Sequence, residues 1–204
     1  MYEGAQQIFS LDTRETGLFD LRFIRPAAGW RADKARTGCL IDVQNGEVLV
    51  RGLAMPHSPR IHNGDLWVLD SGNGCLARVD RDNGQLTPVE HVPGYTRGLA
   101  FCGQFAFVGL SRIRETNVFG GLPIAQRQKE LCCGVAVIDL VSGRSVAKFQ
   151  FVSRIEEIFA VDVIPNHCNP VFGGAAGDDE QQEIWIVPAS AAHVPTSFNR
   201  QESC

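Results

Sequence analysis

The sequence lacks long apolar runs, and none approaches the roughly 20 residues that a membrane-spanning helix needs. We therefore expect no membrane span. The first residues, Met1-Tyr2-Glu3-Gly4, contain neither a basic leader nor an apolar signal core, which predicts a cytoplasmic chain. Neither sign of charge predominates, because nineteen basic and twenty-three acidic side chains leave a net charge of −4. This balance argues against nucleic-acid binding, which is typical of strongly basic domains.

Several motifs that carry chemistry are also missing. The five histidines form neither His-x-His nor His-Glu-x-x-His, and no Gly-x-Ser-x-Gly elbow is present. The glycine-rich segment 70–74 has no following Lys-Ser/Thr, so we interpret it as a β-turn and not a phosphate loop. Asp80, Asp82 and Gly84 resemble the start of a calcium loop, but its twelfth position is His91 instead of Glu. We expect no metal and no cofactor.

The seven cysteines are odd in number and irregular in spacing, without a Cys-x-x-Cys pair. Cysteine is often a small core residue, and the cytoplasm keeps thiols reduced. We therefore expect reduced, mostly buried thiols. The alternative for the adjacent pair Cys132-Cys133 is a redox or soft-metal site, although a zinc site would need two more ligands at recognisable spacing.

A six-residue phrase, in which an apolar residue and Asp lead into a turn ending in Gly, occurs three times. Its aspartates lie 38 residues apart (42 to 80) and then 59 apart (80 to 139). Asn-Gly between alternating apolar runs predicts a hairpin with a type I′ turn, in which both central residues have positive φ. The copies are Ile41-Asp42-Val43-Gln44-Asn45-Gly46, Val79-Asp80-Arg81-Asp82-Asn83-Gly84 and Ile138-Asp139-Leu140-Val141-Ser142-Gly143.

Alternating residues around these turns predict short strands with a repeat near 40 residues, typical of propeller blades. We expect an all-β fold of propeller-like antiparallel blades that is incomplete and open, because two full blades cannot close a ring of four to eight. An Asn63-Gly64 turn should join two of the strands. The predicted strands cover 39–43, 47–53, 58–62, 65–70, 75–80, 85–91, 97–101, 104–110, 134–140, 145–151, 158–164 and 183–187.

The chain divides into three parts by this pattern. Residues 1–28 are poorly assigned, with 7–12 and 18–23 alternating like a degenerate hairpin. Residues 29–166 hold the blades and an insertion over 111–133 that ends in a helical turn at 123–131, and residues 167–204 are predicted to be an acidic loop, one strand and a disordered tail. The second inner hairpin repeats the first at an offset of 39, which matches Leu66 with Phe105 and Val68 with Phe107. Strands set between neighbouring blades bury both sides, so the buried faces are predicted to include Leu66, Trp67, Val68, Phe105, Phe107, Val135, Val137, Phe159 and Val161.

From Gly29 to about Pro165 the chain resembles a family of conserved hypothetical, propeller-like proteins, the domain of unknown function forty-nine fifteen. The resemblance implies that this chain corresponds to the C-terminal part of a member, and it supplies no activity. The residues that carry it are Gly29-Trp30-Arg31, Gly38-Cys39-Leu40-Ile41-Asp42-Val43, Met55-Pro56-His57-Ser58-Pro59-Arg60, Leu66-Trp67-Val68-Leu69-Asp70-Ser71-Gly72, Arg97-Gly98-Leu99-Ala100-Phe101, Val108-Gly109-Leu110-Ser111, Arg114-Glu115 and Gly121-Leu122-Pro123.

Polar residues that precede successive inner strands form the candidate site. At the offset of 39, His57-Ser58 aligns with Thr96-Arg97, and Glu156-Glu157 precedes the third copy. Inner strands line the channel of a propeller, so these residues should meet at one mouth and could bind a small anionic ligand. The alternative is that the charged residues pair with each other. The candidate ligand-binding residues are His57, Ser58, Arg60, Arg97, Arg112, Arg114, Glu115, Glu156 and Glu157.

These observations favour a non-enzymatic scaffold that binds a ligand or a protein, with the insertion contacting the partner. The alternative is a propeller enzyme acting on a small anionic substrate, with Glu156 or Glu157 as acid or base and Arg97 as anion clamp. The open blade edges also predict self-association, because an uncovered blade would expose apolar residues. No nucleic-acid or membrane partner is expected.

Overall fold

The structure, a computed structural model, describes residues 19–23, 33–112, 121–152 and 154–167. This part contains eleven β-strands and two short 3₁₀ segments, Ser71–Asn73 and Pro123–Glu130. The helical turn expected near residue 123 is thereby confirmed. The strands are β1 (Phe19–Phe23), β2 (Gly38–Asp42), β3 (Val48–Leu53), β4 (His57–His62), β5 (Asp65–Asp70), β6 (Cys75–Val79), β7 (Leu86–His91), β8 (Tyr95–Cys102), β9 (Phe105–Ser111), β10 (Gly134–Asp139) and β11 (Arg144–Gln150).

The strands form three antiparallel sheets, each ordered along the chain: β1-β2-β3, β4-β5-β6-β7 and β8-β9-β10-β11. The predicted fold class is confirmed: the chain is all-β, no described sheet closes into a barrel, and the sheets are compatible with open propeller-like blades. Among the helical segments in the described residues, none has the length and apolarity of a membrane-spanning helix.

Two strand predictions need correction. Residues 19–23 pair with β2, so the first sheet has three strands and not two. Residues 158–164 are not a strand; residues 158–161 of this segment contact Gly98 and Gly109 of the third sheet without strand pairing. An apolar alternation cannot distinguish a paired strand from an extended segment that only packs. Residues 7–12 and 183–187 lie outside the described part.

The repeated phrase forms a turn, and the feature that all three copies share is the Asp and not the Asn. Asp42, Asp80 and Asp139 each accept hydrogen bonds through the carboxylate from backbone N–H groups two or three residues later, at 2.9–3.3 Å. Only the final Gly of each copy has positive φ, so the type I′ prediction is wrong there. That turn occurs instead at Asn63-Gly64, where φ is 52° and 82°.

The middle sheet is buried on both faces, as expected for a sheet that lies between two other sheets. Leu66 and Val68 pack with Leu40 of the first sheet, whereas Leu69 and Leu76 pack against the third sheet. The predicted burial of Leu66, Trp67 and Val68 is confirmed. Adjacent sheets are therefore held together mainly by the burial of aliphatic side chains.

The predicted core of the third sheet is wrong by one residue. Ala106, Val108, Ala136 and Ile138 are at most 2% exposed, whereas the predicted positions between them are only partly buried. The β8–β9 hairpin pairs Cys102 with Phe105, 40 residues beyond the pair His62 and Asp65, so the offset of 39 misplaced it by one position. A slip of one residue exchanges the two faces of a strand. The misassigned residues are Phe105, Phe107, Val135 and Val137, together with Val161 and the 64%-exposed Phe159.

The cysteine prediction holds in part. Cys39, Cys75, Cys132 and Cys133 are free and buried, and burial raises the pKa of the Cys75 thiol to about 11. Cys102 is instead disulfide-bonded. Spacing could not reveal this bond, because folding brings its two sulfur atoms together.

By its contacts the chain divides into two units, Met1–Asp162 and Val163–Cys204. The first contains all eleven strands. The described part of the second is a turn in which His167 Nδ1 lies 2.8 Å from the Pro165 carbonyl oxygen.

Candidate functional site

The candidate site lies at the end of the sheets where β4 and β8 begin, which we call the loop end. The loops after β3, β5, β7 and β9 all meet there because each sheet is an antiparallel meander. The described part of the insertion covers this end, where Leu122 and Ile124 are at most 2% exposed and pack with Met55 and Tyr95. This part of the insertion therefore turns its apolar side chains inward.

The first residues of β4 and β8 occupy equivalent positions. The ladder of β4 is interrupted between His57 and Arg60, and that of β8 between Thr96 and Leu99, an offset of 39 at both points. The alignment of His57 with Thr96 is thus correct on this side of the hairpin. A hydrogen bond of 3.2 Å from the Gly98 N–H to Ser58 Oγ links the two interruptions.

His57 is the centre of a buried polar cluster. Its Nδ1 lies 2.9 Å from the Met55 carbonyl oxygen, 2.9 Å from Ser71 Oγ and 3.4 Å from the Tyr95 hydroxyl. Desolvation, with a smaller contribution from the positive charge of Arg97, lowers the His57 pKa to about 3. The imidazole is therefore neutral at pH 7.

The Met55 carbonyl fixes the tautomer of this neutral ring. A carbonyl oxygen only accepts, so Nδ1 carries the proton and donates it. Nδ1 cannot then accept the proton of Ser71, whose hydroxyl is 3.4 Å from the Leu69 carbonyl oxygen and donates there. His57 and Ser71 are close but are not arranged as a base and a nucleophile.

Asp70 borders this cluster and joins the loops after β3 and β5. Its carboxylate accepts from the Ala54 N–H at 2.8 Å and from Asn73 Nδ2 at 2.6 Å. Burial raises the Asp70 pKa, and the two hydrogen bonds oppose that shift. Burial likewise raises the pKa of Tyr95. The cluster thus connects the loops after β3 and β5 to the start of β8.

Two of the charged candidates, Arg97 and Arg112, lie beside an extended segment, 154–162. The Arg97 guanidinium lies 4.3 Å from the centre of the Phe159 ring, a cation–π contact. The Arg112 N–H donates to the Glu156 carbonyl oxygen at 2.8 Å, while Ser111 Oγ accepts from the Ile158 N–H at the same distance. These contacts hold the segment against β8 and β9.

The structure thus brings part of the predicted set together. His57, Ser58 and Arg97 meet in one place, and Arg112 lies beside Glu156. The Arg60 guanidinium donates to its neighbouring Pro59 carbonyl at 3.0 Å. Arg114 and Glu115 lie outside the described residues, and the ligand-binding role of the whole set stays a prediction. The missed members are Tyr95, Asp70 and Ser71, which lie in loops or at strand ends without any repeat to mark them.

The face of the third sheet that points away from the middle sheet is apolar, and sequence reasoning assigned it to the core. Strand register puts these residues on the outer face: Phe105, Phe107, Val135, Val137, Ala147 and Phe149, together with Ala100, the disulfide-bonded Cys102 and Gly109. The first four are partly buried, and Phe149 is 53% exposed. Ile158 and Val161 pack against Gly109, and Ala160 and Val161 against Gly98, so the extended segment covers the part of this face near the loop end.

A solvent-open cleft of about 740 Å³ lies at the opposite end, between hairpin turns of the first two sheets. It is not near the His57 cluster. Five carboxylates and two guanidinium groups line it, and Arg78 lies 3.6 Å from Asp65 there. In the described part of the chain no three metal-ligating side chains converge on a possible metal site.

Comparison with known proteins identifies one family. A family model described as "Domain of unknown function (DUF4915)" matches residues 24–172. No curated protein matches the chain. Among solved structures, the computationally designed Ika4 protein matches this chain with a TM-score of 0.44 and 14% sequence identity. The match covers 90% of this chain and 99% of the Ika4 chain. The designed Ika8 protein has a TM-score of 0.43 and 12% identity over 80% of this chain, which spans only 41% of Ika8.

Proposed function

The chain belongs to the DUF4915 family of unknown function, and we propose that it is a non-enzymatic scaffold whose outer face on the third sheet binds protein. One observation carries the proposal. The two faces of this sheet are equally apolar in sequence, but within the described residues only the inner face is buried by a neighbouring sheet. An apolar face that remains accessible is typical of a contact surface.

The composition of the outer face fits a protein contact. Phe105, Phe107 and Phe149 supply aromatic side chains, which are enriched where proteins meet. Phe149 and Phe151 form a T-shaped pair with ring centres 4.9 Å apart, which restricts the Phe149 ring before any partner binds. A preorganised aromatic side chain loses less entropy on binding.

The contacts at the loop end favour the scaffold over the enzyme. The proposed anion clamp, Arg97, lies over an aromatic ring, and Glu156 participates through its backbone carbonyl. His57 donates its Nδ1 proton to a carbonyl and so has no role as a base at that atom. Each of these groups therefore has a structural task that accounts for its position.

A cytoplasmic location forms part of the proposal. Four free, buried thiols support it, because reduced cysteines are usual in that compartment. The disulfide at Cys102 is the observation that opposes it.

The test uses anilinonaphthalene sulfonate, a dye that fluoresces on apolar protein surfaces. We expect Phe149→Ser to lower the dye fluorescence of the purified chain by about half, since it removes an exposed aromatic ring. The matched control is Val141→Ser, which changes a 79%-exposed residue in the β10–β11 turn. Equal fluorescence from Phe149→Ser and the control would contradict the proposal, as would a loss of stability above about 3 kcal/mol, typical of a buried Phe.

A further inference from the structure

Asparagine followed by glycine occurs four times in the sequence, and the fold gives one of these dipeptides a different environment from the other three. Such an asparagine is chemically labile, because the backbone nitrogen of the glycine can attack the side-chain amide carbon. The attack needs an accessible glycine nitrogen whose N–H is not held by a hydrogen bond. The four dipeptides are Asn45-Gly46, Asn63-Gly64, Asn73-Gly74 and Asn83-Gly84.

In three of the four the glycine N–H is hydrogen-bonded to the backbone. Gly46 and Gly84 each donate at 2.9 Å to the carbonyl oxygen of the Asp four residues earlier. Gly74, which is buried, donates at 3.0 Å to the Ser71 carbonyl oxygen. Each of these nitrogens must break its hydrogen bond before it can attack, so these three dipeptides are protected.

Gly64 differs because it lies in a two-residue turn of type I′, where φ is 52° at Asn63 and 82° at Gly64. The residues that pair across this turn are His62 and Asp65. Within the described residues the Gly64 N–H donates to no backbone carbonyl. Asn63 and Gly64 are both exposed, so the glycine nitrogen is open to solvent.

The side-chain amides show the same division. In the three protected dipeptides the Asn side chain is held by a hydrogen bond of 2.6–2.8 Å within its own turn. Asn63 Nδ2 lies instead 3.2 Å from His62 Nε2. That nitrogen carries a proton and donates it to the Gly103 carbonyl oxygen at 2.8 Å, so it cannot accept from Asn63. The Asn63 side chain can therefore turn toward the Gly64 nitrogen.

We propose that Asn63 is a site of spontaneous deamidation, which the fold selects from the four dipeptides. The Gly64 nitrogen forms a bond to Asn63 Cγ, and the bond between Cγ and Nδ2 breaks. The proton of the Gly64 nitrogen leaves with the NH₂ group as ammonia. The product is a five-membered succinimide, which water opens to aspartate or isoaspartate.

The modification changes the charge and the backbone of this turn. Both products place a carboxylate beside the cleft that Gly64 and Asp65 line. Isoaspartate also adds one carbon to the backbone of a turn whose length fixes the β4–β5 register. The adjacent His62 joins the second sheet to the third, through Gly103 and through a stacked contact of 4.3 Å with Phe101. The isoaspartate form should therefore unfold at a lower urea concentration than the unmodified chain.

Tandem mass spectrometry of the purified chain, aged in mildly alkaline buffer, tests the proposal. Asn63 should convert at least about fivefold faster than Asn45, Asn73 or Asn83, the factor that breaking one hydrogen bond supplies. Asn45 is the matched comparison, because it is also exposed but its glycine N–H is bonded. Ageing in urea removes the hydrogen bonds of the fold, and the four rates should then agree within about twofold.

Two variants complete the test. Asn63→Gln should abolish the fastest conversion, because its longer side chain would have to close a six-membered ring. Asn63→Asp carries the new charge without the additional backbone carbon, and it should unfold at a higher urea concentration than the aged isoaspartate fraction. Equal rates at Asn63 and Asn45 in the folded chain would overturn the inference, and so would a preference for Asn63 that persists in urea. An isoaspartate fraction as stable as Asn63→Asp would overturn the assigned effect on the turn.

Discussion

The neutral state of His57 predicts how stability depends on pH. Its pKa is about 3 in the folded chain and 6.5 in the unfolded chain. As pH falls below 6.5 the unfolded chain binds a proton at this residue and the folded chain does not, so the folded state loses stability. This loss continues until the pH reaches about 3, where the folded His57 also becomes protonated.

The loss can be estimated between pH 7 and pH 5. At 1.36 kcal/mol per pH unit, the 1.5 units between 6.5 and 5 correspond to about 2 kcal/mol of unfolding free energy from His57 alone. The test is His57→Asn, because the Asn amide nitrogen can occupy the place of Nδ1 and donate to Met55 without titrating. Asp70, whose raised pKa acts in the opposite direction, remains in both chains and largely cancels in the comparison.

Urea unfolding followed by circular dichroism at pH 7 and pH 5 provides the measurement. We expect His57→Asn to lose about 2 kcal/mol less than the unaltered chain over this interval. His91→Gln replaces an exposed histidine and should retain the full pH dependence. If His57→Asn retains it as well, His57 is not held neutral in the folded chain.

Two further variant pairs test how the third sheet is packed. Gly98→Ala should lower the free energy of unfolding by at least about 2 kcal/mol more than Gly103→Ala. Both glycines have positive φ, but only a Cβ at Gly98 would lie 2.4 Å from the Val161 nitrogen. Equal losses of stability in thermal unfolding would mean that the extended segment does not lie against β8. Phe107→Ala on the outer face should cost about 2 kcal/mol, less than the 3–5 expected for a buried Phe, and less than Leu110→Ala on the inner face. Equal losses of stability for Phe107→Ala and Leu110→Ala in urea unfolding would mean that Phe107 belongs to the buried core.

The strands and their order could be predicted from the sequence because alternation and turn residues are local signals. Asp42, Asp80 and Asp139 were recognised as parts of a repeat, but their role was not. An Asp that accepts backbone hydrogen bonds in a turn produces the same repetition as an Asn-Gly hairpin. The structure separates the two by the sign of φ at the residue before Gly.

The faces of the third sheet could not be predicted from the offset between repeats. The β8–β9 hairpin is longer than β4–β5 between its bulge and its turn, so one offset holds at His57 and another at the turn. Sequence similarity does not show where an extra residue enters. The His57 cluster was only partly predicted for a similar reason, since Ser71 reaches it from the loop after β5 and Tyr95 from the start of β8, in a different sheet.

The accessible outer face of the third sheet is the central claim, and paramagnetic relaxation of methyl groups tests it most directly. A soluble gadolinium chelate broadens the NMR signals of methyl groups that solvent can approach. For the dilute chain we predict strong broadening at Val137 and Val135 and little at Val108 and Ile138, which lie on the buried inner face. Equal protection of Val137 and Val108 would mean that the outer face is covered, and it would contradict the scaffold proposal.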